Sequence, residues 1–427
     1  MEAAGRLAHD APVTAPPPPP ASPAPVPPAA YPPGLVAVLG VQFLNGLGFG
    51  LVFPVVALYG ESTGLSPAQI TLLVALHPLM RLLGGPAWGR LADRFGRRPV
   101  LLAGVAIQAV GHLAFALLVG PLGLGLARAL TGLGAGDAVA AAAVVADTTG
   151  EGDRARGLGL LRAAGGLGLL SGPVVGGLLG LGGLQWPGYG AALACVLSLV
   201  VVWRRCPETR PAAAAPAAAS TFGARPRGLA VPLPALLIAV AAAGAMAQAE
   251  SIVPLAIEHV LVPTLELPGG LLPAQAAMLL TVGVILCWGL TTAIFDGALS
   301  ARLVNRLTEL WGLRLGLLLW AIAFACTPPV YVAGLLPGAL VIALTAVPVS
   351  VAGVSLATWI SKRAGAEGQG RALGLAQSAQ AAGEFIGPAA AGALYELRYG
   401  LPYEVGAVVL LGALGLSFGL RPRVARG

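Results

Sequence analysis

Charge is scarce in this chain. Asp, Glu, Lys and Arg make up 10% of its 427 residues, where a soluble domain carries about a quarter. With 57% hydrophobic residues and a mean hydropathy of +0.84, that shortage excludes a soluble globular fold. Lysine is all but missing, Lys362 being the sole example. The 25 basic residues still outnumber the 18 acidic ones, for a net charge of +7, but they fall between apolar runs instead of along one face. That placement excludes a nucleic-acid partner and suits membrane topology. The cysteines Cys195, Cys206, Cys287 and Cys326 form no CxxC pair, so neither a disulfide framework nor a zinc site follows, and no metal or other cofactor is expected. HExxH, a P-loop and a Ser/His site in family context are also missing, which argues against an intramembrane enzyme and against ATP-driven pumping. No signal-peptide pattern opens the chain; "APVTAPPPPPASPAPVPPAAYPP" reads as a disordered proline-rich tail outside the fold.

What the chain does have is long apolar runs nearly free of charge. In lipid these read as spanning helices, because no other arrangement satisfies the backbone polar groups within one segment. About twelve spans emerge, at 35–60, 67–88, 99–119, 122–148, 156–181, 188–204, 233–258, 273–300, 312–334, 337–360, 371–395 and 402–420. The fold class is therefore an all-α membrane protein built of two six-helix bundles. The longest internal polar segment, "RRCPETRPAAAAPAAASTFGARPRG", reads as the linker between them. The domain plan is a tail at 1–34, a first bundle at 35–204, a linker at 205–231, a second bundle at 232–420 and a tail at 421–427. Arginine bias places both termini in the cytoplasm and the chain in the cell membrane, since in that orientation the outside loops hold only Arg398.

The two bundles are related. Laid so that Arg156 falls on Arg371, "RGLGLLRAAGGLGLLSGPVVGG" and "RALGLAQSAQAAGEFIGPAAAG" share Gly159/Gly374, Gly168/Gly383, Gly172/Gly387, Pro173/Pro388 and Gly177/Gly392. Spans five and eleven are equivalent members of an internal repeat, a frequent plan among transporters.

Five charges crowd into "GRLADRFGRR", Gly89 to Arg98, between spans two and three. Arginines at a loop anchor orientation and touch headgroups. They do not account for Asp93, which asks for a cationic partner or a helix N-terminus, nor for Gly89 and Gly96, which permit tight turning. "GRLADRFGRRPVLLAG" resembles the signature loop of the major facilitator superfamily, and "DRFGRRPVLL" is similar to its tetracycline and multidrug proton-antiporter branch. The resemblance implies two bundles around a central cavity. It also implies a conformational charge relay of Asp93, Arg97 and, from "VADTT" at the end of span four, Asp147. "RALTGLGAG" resembles the family's helix-4 arginine motif through Arg128 and Gly132. Two placements are open to Arg128, facing protein or a wet cavity, or snorkelling to the interface. "GLLSGPVVGG" resembles the antiporter motif through Gly168, Gly172, Pro173, Gly176 and Gly177, whose small residues allow close helix packing and whose Gly-Pro makes a kink. In the second half "ARLVNRLTELWG" has Asn305 and Thr308 where an aspartate and a glycine would complete the relay.

Ionisable residues within spans are functional candidates by default. Burial in low dielectric favours the uncharged form of a carboxyl, which is how a membrane acid holds and hands over a proton. Glu250, four residues before Pro254, is the first choice of carrier, followed by Asp137 and Glu384. Each has the alternative reading of a neutralised ion pair. Arg81, Asp137 and Glu384 fall at similar depth, so Arg81 has either acid as a partner. Arg128 and Asp137, nine residues apart, cannot both face the cavity. Gln42, Asn45 and Gln248 are expected on its wall with Phe49, Phe53 and His77. Asn45 stands where the resembled tetracycline exporters carry an aspartate, which puts tetracycline-type cargo in doubt. The expected function is export of a small amphipathic molecule (a drug, antibiotic or metabolite) in exchange for protons by alternating access. The competing readings are a proton symporter or facilitator importing a nutrient and a non-transporting membrane sensor. The expected partners are the small-molecule substrate, protons and membrane lipid, and a monomer is expected.

Overall fold

The structure is a computed structural model that describes residues 32–149, 153–209, 231–267, 272–298 and 308–421. Regular structure among them is helical throughout. The first half comprises α1 (Pro33–Val52), α2 (Val56–Ser62), α3 (Pro67–Phe95), α4 (Arg97–Leu117), α5 (Pro121–Gly134), α6 (Gly136–Thr148), α7 (Arg154–Gly180) and α8 (Trp186–Arg205). Here α1 and α2 are one span broken at Phe53 to Val55, where Pro54 supplies no N–H. Likewise α5 and α6 are one span interrupted at Ala135. The second half comprises α9 (Leu233–Ala256), α10 (Pro273–Ala298), α11 (Glu309–Val332), α12 (Leu335–Leu397) and α13 (Leu401–Ser417). After α9 the chain passes through a π-helical turn, Ile257–Leu261, and a 3-10 turn, Val262–Thr264.

Two boundaries differ from the sequence reading. The second span was placed at 67–88, but α3 runs on to Phe95, because nothing in "RLADRF" breaks a helix. Asp93 thus sits on the last helical turn, and the reversal falls on Gly96 alone, whose φ of 103° lies in the left-handed region. Gly89 takes no part in that turn: it is mid-helix, and a Cβ added there would meet nothing within 4 Å. The spans expected at 337–360 and 371–395 belong to a single helical trace of 63 residues. Lys362 lies against Glu309 at the start of α11, whereas Tyr395 lies against His259 at the opposite end of the bundle. The Tyr399 hydroxyl donates to the Pro328 carbonyl near the end of α11, so the trace starts at the Tyr395 end, reaches the other end at Lys362 and returns; the polar stretch expected as a loop is helical.

Packing repeats between the halves. A Cβ on Gly168 would run into the Phe43 carbonyl of α1, and one on Gly172 into the backbone of Gly50. Equivalently, Cβ atoms on Gly383 and Gly387 would run into the Val240 and Gly244 carbonyls of α9. Absence of side chains lets these backbones touch, which is what drives helix association where lipid removes the hydrophobic drive. One step further along, Gly177 meets Val282 of α10 and Gly392 meets Pro67 and Thr71 of α3, so each repeat also carries a contact to the other half. The linker at 210–230, together with Asn305 and the tail at 1–31, lies outside the described residues, as do the side chains of Arg371 and Asp296.

Candidate functional site

Three groups of charged and polar residues are built on this frame. The first is at the arginine end of the bundle. Glu208, just past α8, accepts from the Arg97 and Arg98 backbone N–H groups at 2.9 and 3.1 Å, closing the N-terminus of α4. With α4 so fixed, the Arg97 side chain turns inward. Its Nη1 donates to Asp93 Oδ1 at 3.0 Å and to the Ala92 carbonyl at 2.7 Å, and its Nε donates to Asp147 Oδ2 at 3.1 Å. Thr209 Oγ1 completes the Asp147 carboxylate at 3.1 Å. The structure thus brings Asp93, Arg97 and Asp147 together, with Arg97 only 14% exposed. Glu208 and Thr209 were missed because nothing in "RRCPETR" distinguishes them from linker.

The second group lies inside the first half. Asp137, 3% exposed, receives Gln108 Nε2 at 2.9 Å, Gln42 Nε2 at 3.4 Å and Asn45 Nδ2. Ser198 Oγ donates in turn to Asn45 Oδ1 at 3.1 Å. Amide donors rather than a cation answer this carboxyl. Gly134 and Gly104 allow the approach, since a Cβ on either would run into the other's backbone carbonyl. Nearby, Arg128 is 5% exposed and has no carboxylate within 4 Å among the described residues; its guanidinium stands 5.5 Å from the Phe49 ring centre. Its place is inside protein, not at the interface. Gly132 lets α5 press on the His77 backbone, and His77 Nδ1 lies 3.2 Å from Thr131 Oγ1.

The third group surrounds a cavity of about 740 Å³ between the halves. Its walls are mostly apolar and aromatic, including Phe49, Phe53, Trp288, Phe324 and Tyr403, and among the described residues lining it Glu250 is the one carboxyl and Arg162 the cation. Pro173 of α7 and Pro254 of α9 both reach it. At its margin Arg81 pairs with Glu384 across the halves, so of the two acids open to Arg81 the structure selects Glu384. Three expectations are corrected here. Gln42 and Asn45 turn away from the cavity to Asp137, and Gln248 donates to the Pro402 carbonyl; none of the three lines the wall. Each amide is taken up by a buried acceptor on a neighbouring helix, which low dielectric makes costly to leave unpaired. Neither Arg128 nor Asp137 lines the cavity; Phe49 stands between it and Arg128.

Polar ties join the halves at the end opposite Arg97: His259 to Glu61, the Ala68 N–H to Glu396, the Gly392 N–H to Thr71 Oγ1, and Gln275 Nε2 to the Leu181 carbonyl. These ties hold the two halves together at that end.

A family model described as Major Facilitator Superfamily matches residues 38–388. Among curated relatives, the class C tetracycline resistance protein of Escherichia coli is 37% identical over 180 residues, 39% of this chain and 43% of that protein. The chain thus matches less than half the length of that relative. Multidrug resistance protein 2 of Bacillus subtilis is 27% identical over 391 residues, covering 90% of this chain and 94% of its own. Among solved structures, a nucleoside transporter matches with TM-score 0.67 and 13% identity over 90% of this chain and 97% of that one. A human organic anion transporter matches with TM-score 0.61 and 20% identity over 90% and 99%. These two likenesses are likenesses of fold.

Proposed function

The chain belongs to the major facilitator superfamily, and from that premise we propose that it exports a small amphipathic molecule in exchange for protons, by alternating access between its two halves. It sits in the cell membrane, and the arginine end is the cytoplasmic end, with both termini on that side. The observation that carries the reading is the cavity: about 740 Å³ of mostly apolar wall, placed between two pseudo-equivalent halves, with one carboxyl in it. Apolar and aromatic surface holds an amphipathic cargo without demanding one shape, and Glu250 answers either a proton or a cationic centre on that cargo. The names of the relatives, tetracycline and multidrug resistance proteins, support the same direction of transport.

With the outer end shut, the cavity belongs to the state that loads cargo from the cytoplasm. Glu250 is the carrier that meets cargo and proton in one place. Glu384, held by Arg81 across the halves, reports on the closure of the midplane, and Asp137 in its amide cage is a second carrier inside the first half. The packing of Gly168, Gly172 and Gly176 on α1 keeps the first bundle sealed while it rocks. Arg97, with Asp93 and Asp147, holds the cytoplasmic ends of α3, α4 and α6 as one body. The unit of transport is a monomer, since the cavity is complete within one chain.

The test is proton flux in proteoliposomes bearing a sealed pH gradient, challenged with a panel of lipophilic amines, zwitterions and neutral amphiphiles. Some member of the panel is expected to move protons, and Glu250→Gln to abolish that movement. A panel in which no compound moves protons would remove the antiport reading.

A further inference from the structure

The outer end of the bundle holds titratable groups that neither the cavity nor the carriers use. Glu61, on the last turn of α2 in the first half, faces Glu258 and His259 on the π-helical turn of the second half. His259 Nε2 lies 2.5 Å from Glu61 Oε1, and its Nδ1 lies 3.1 Å from the Tyr395 hydroxyl of α12. Two further oxygens, Glu61 Oε2 and Glu258 Oε2, are buried and accept from no donor among the described residues. The two carboxyls are within reach of a mutual hydrogen bond as soon as one carries a proton. The charged groups facing the cluster are Glu61 from α2 and Glu258 and His259 from the π turn, with the Tyr395 phenol from α12. Turns of π type are frequent at functional sites, and this one sets two adjacent titratable residues against one acid of the opposite half.

We propose that Glu61, Glu258 and His259 form a proton-binding site shared by the two halves, a latch that stays closed while it holds its protons and opens when it loses them. With His259 protonated, Glu61 accepts a charge-assisted bond. With a second proton on Glu258, the facing oxygens attract. Without either proton, two carboxylates on opposite halves oppose each other beside a neutral imidazole, and like charges at contact disfavour closure. Because the closed state binds more protons, acid outside the cell favours it by linkage.

The inference rests on the two-state reading of the fold but not on export, so its test reads distance. Full-length protein with its native cysteines replaced by alanine carries spin labels at Ser62→Cys and Glu266→Cys, both exposed at this end. Pulsed EPR distances are taken from about pH 5.5 to about pH 8.5, the window in which histidine changes charge. One short population is expected at the acid limit and a growing longer one at the alkaline limit. Glu258→Gln, which offers Glu61 a donor that does not titrate, is expected to keep the short population about one pH unit further up. Glu61→Gln, read on the same axis in case that variant folds poorly, is expected to flatten the profile. Glu396→Gln, at the same end but bonded to the Ala68 N–H outside the cluster, is expected to leave it unmoved. Distances indifferent to pH in the parent, a Glu258→Gln profile that overlays the parent, or an equal shift in Glu396→Gln would each overturn the latch. A protein that opens with pH but moves no compound keeps the latch and loses the export reading; one that exports with flat distances does the reverse.

Discussion

At the arginine end of the bundle, Arg97 is bound by two carboxylates of its own half and seated by a third, Glu208, through the backbone. At the opposite end the ties run between halves, and one of them depends on an imidazole. The first arrangement pairs a guanidinium with carboxylates; the second includes an imidazole, the side chain whose ordinary pKa lies within the physiological range. A lock confined to one half makes that half move as a unit. A tie across the halves decides which side of the cavity is shut. On the proposed rocking of the two halves, the lock at Arg97 serves rigidity and the tie at His259 serves closure.

The comparison can be broken in order of expected effect. Loss of Glu250 comes first: Glu250→Gln is expected to lower proton-coupled transport at least about a hundredfold, while binding of neutral amphiphiles, followed by tryptophan quenching, stays within about threefold. Next is the helix seam. Gly168→Val forces a side chain into the Phe43 carbonyl and is expected to lower detergent stability by about 1–3 kcal/mol, with Gly383→Val in the second half giving a similar loss in a thermal melt. Arg97→Ala is expected to cut transport about tenfold with little change in folded yield, since it frees the cytoplasmic ends without opening the core. A double-mutant cycle then ranks the ion pairs of the two halves. Arg97–Asp147, 14% and 20% exposed, is expected to couple by about 1 kcal/mol, and Lys362–Glu309, where the lysine is 62% exposed, by under about 0.5 kcal/mol. Smallest is the pH response of Glu396. The Ala68 N–H, with Ser66 beside it, holds its carboxyl below the usual glutamate range. That tie is complete above the ordinary glutamate value of about 4.3 and fades only as pH falls through the depressed one. It is therefore flat across the window in which the Glu61 cluster responds, and a Glu396→Gln profile that differed from the parent above about pH 5.5 would blur the contrast between them.

Much of this was legible in the order of residues. Apolar runs located the spans, and the shared Arg and Gly-Pro spacing located the repeat that the Gly168/Gly383 and Gly172/Gly387 contacts display in space. The grouping of Asp93, Arg97 and Asp147 was implied by the resemblance of the loop, and the structure brings it about across the reversal at Gly96. What could not be read was facing. A glutamine within a span looks the same whether it turns to a cavity or to a buried carboxyl, so Gln42, Asn45 and Gln248 were misplaced. Helix ends were also obscure where polar residues are good helix formers, as in "RLADRF". Contacts made by chance of approach between distant segments, such as Glu208 under α4 or His259 against Glu61, leave no periodic trace at all.

Asn45 carries the last consequence. By position in the chain it looks like a lost acid, yet the Asp137 carboxyl touches its amide, so the charge is present at that point in space and has only changed its helix of origin. Exchanging the two, Asn45→Asp with Asp137→Asn, would return the carboxyl to α1 and leave the local electrostatics nearly where they began.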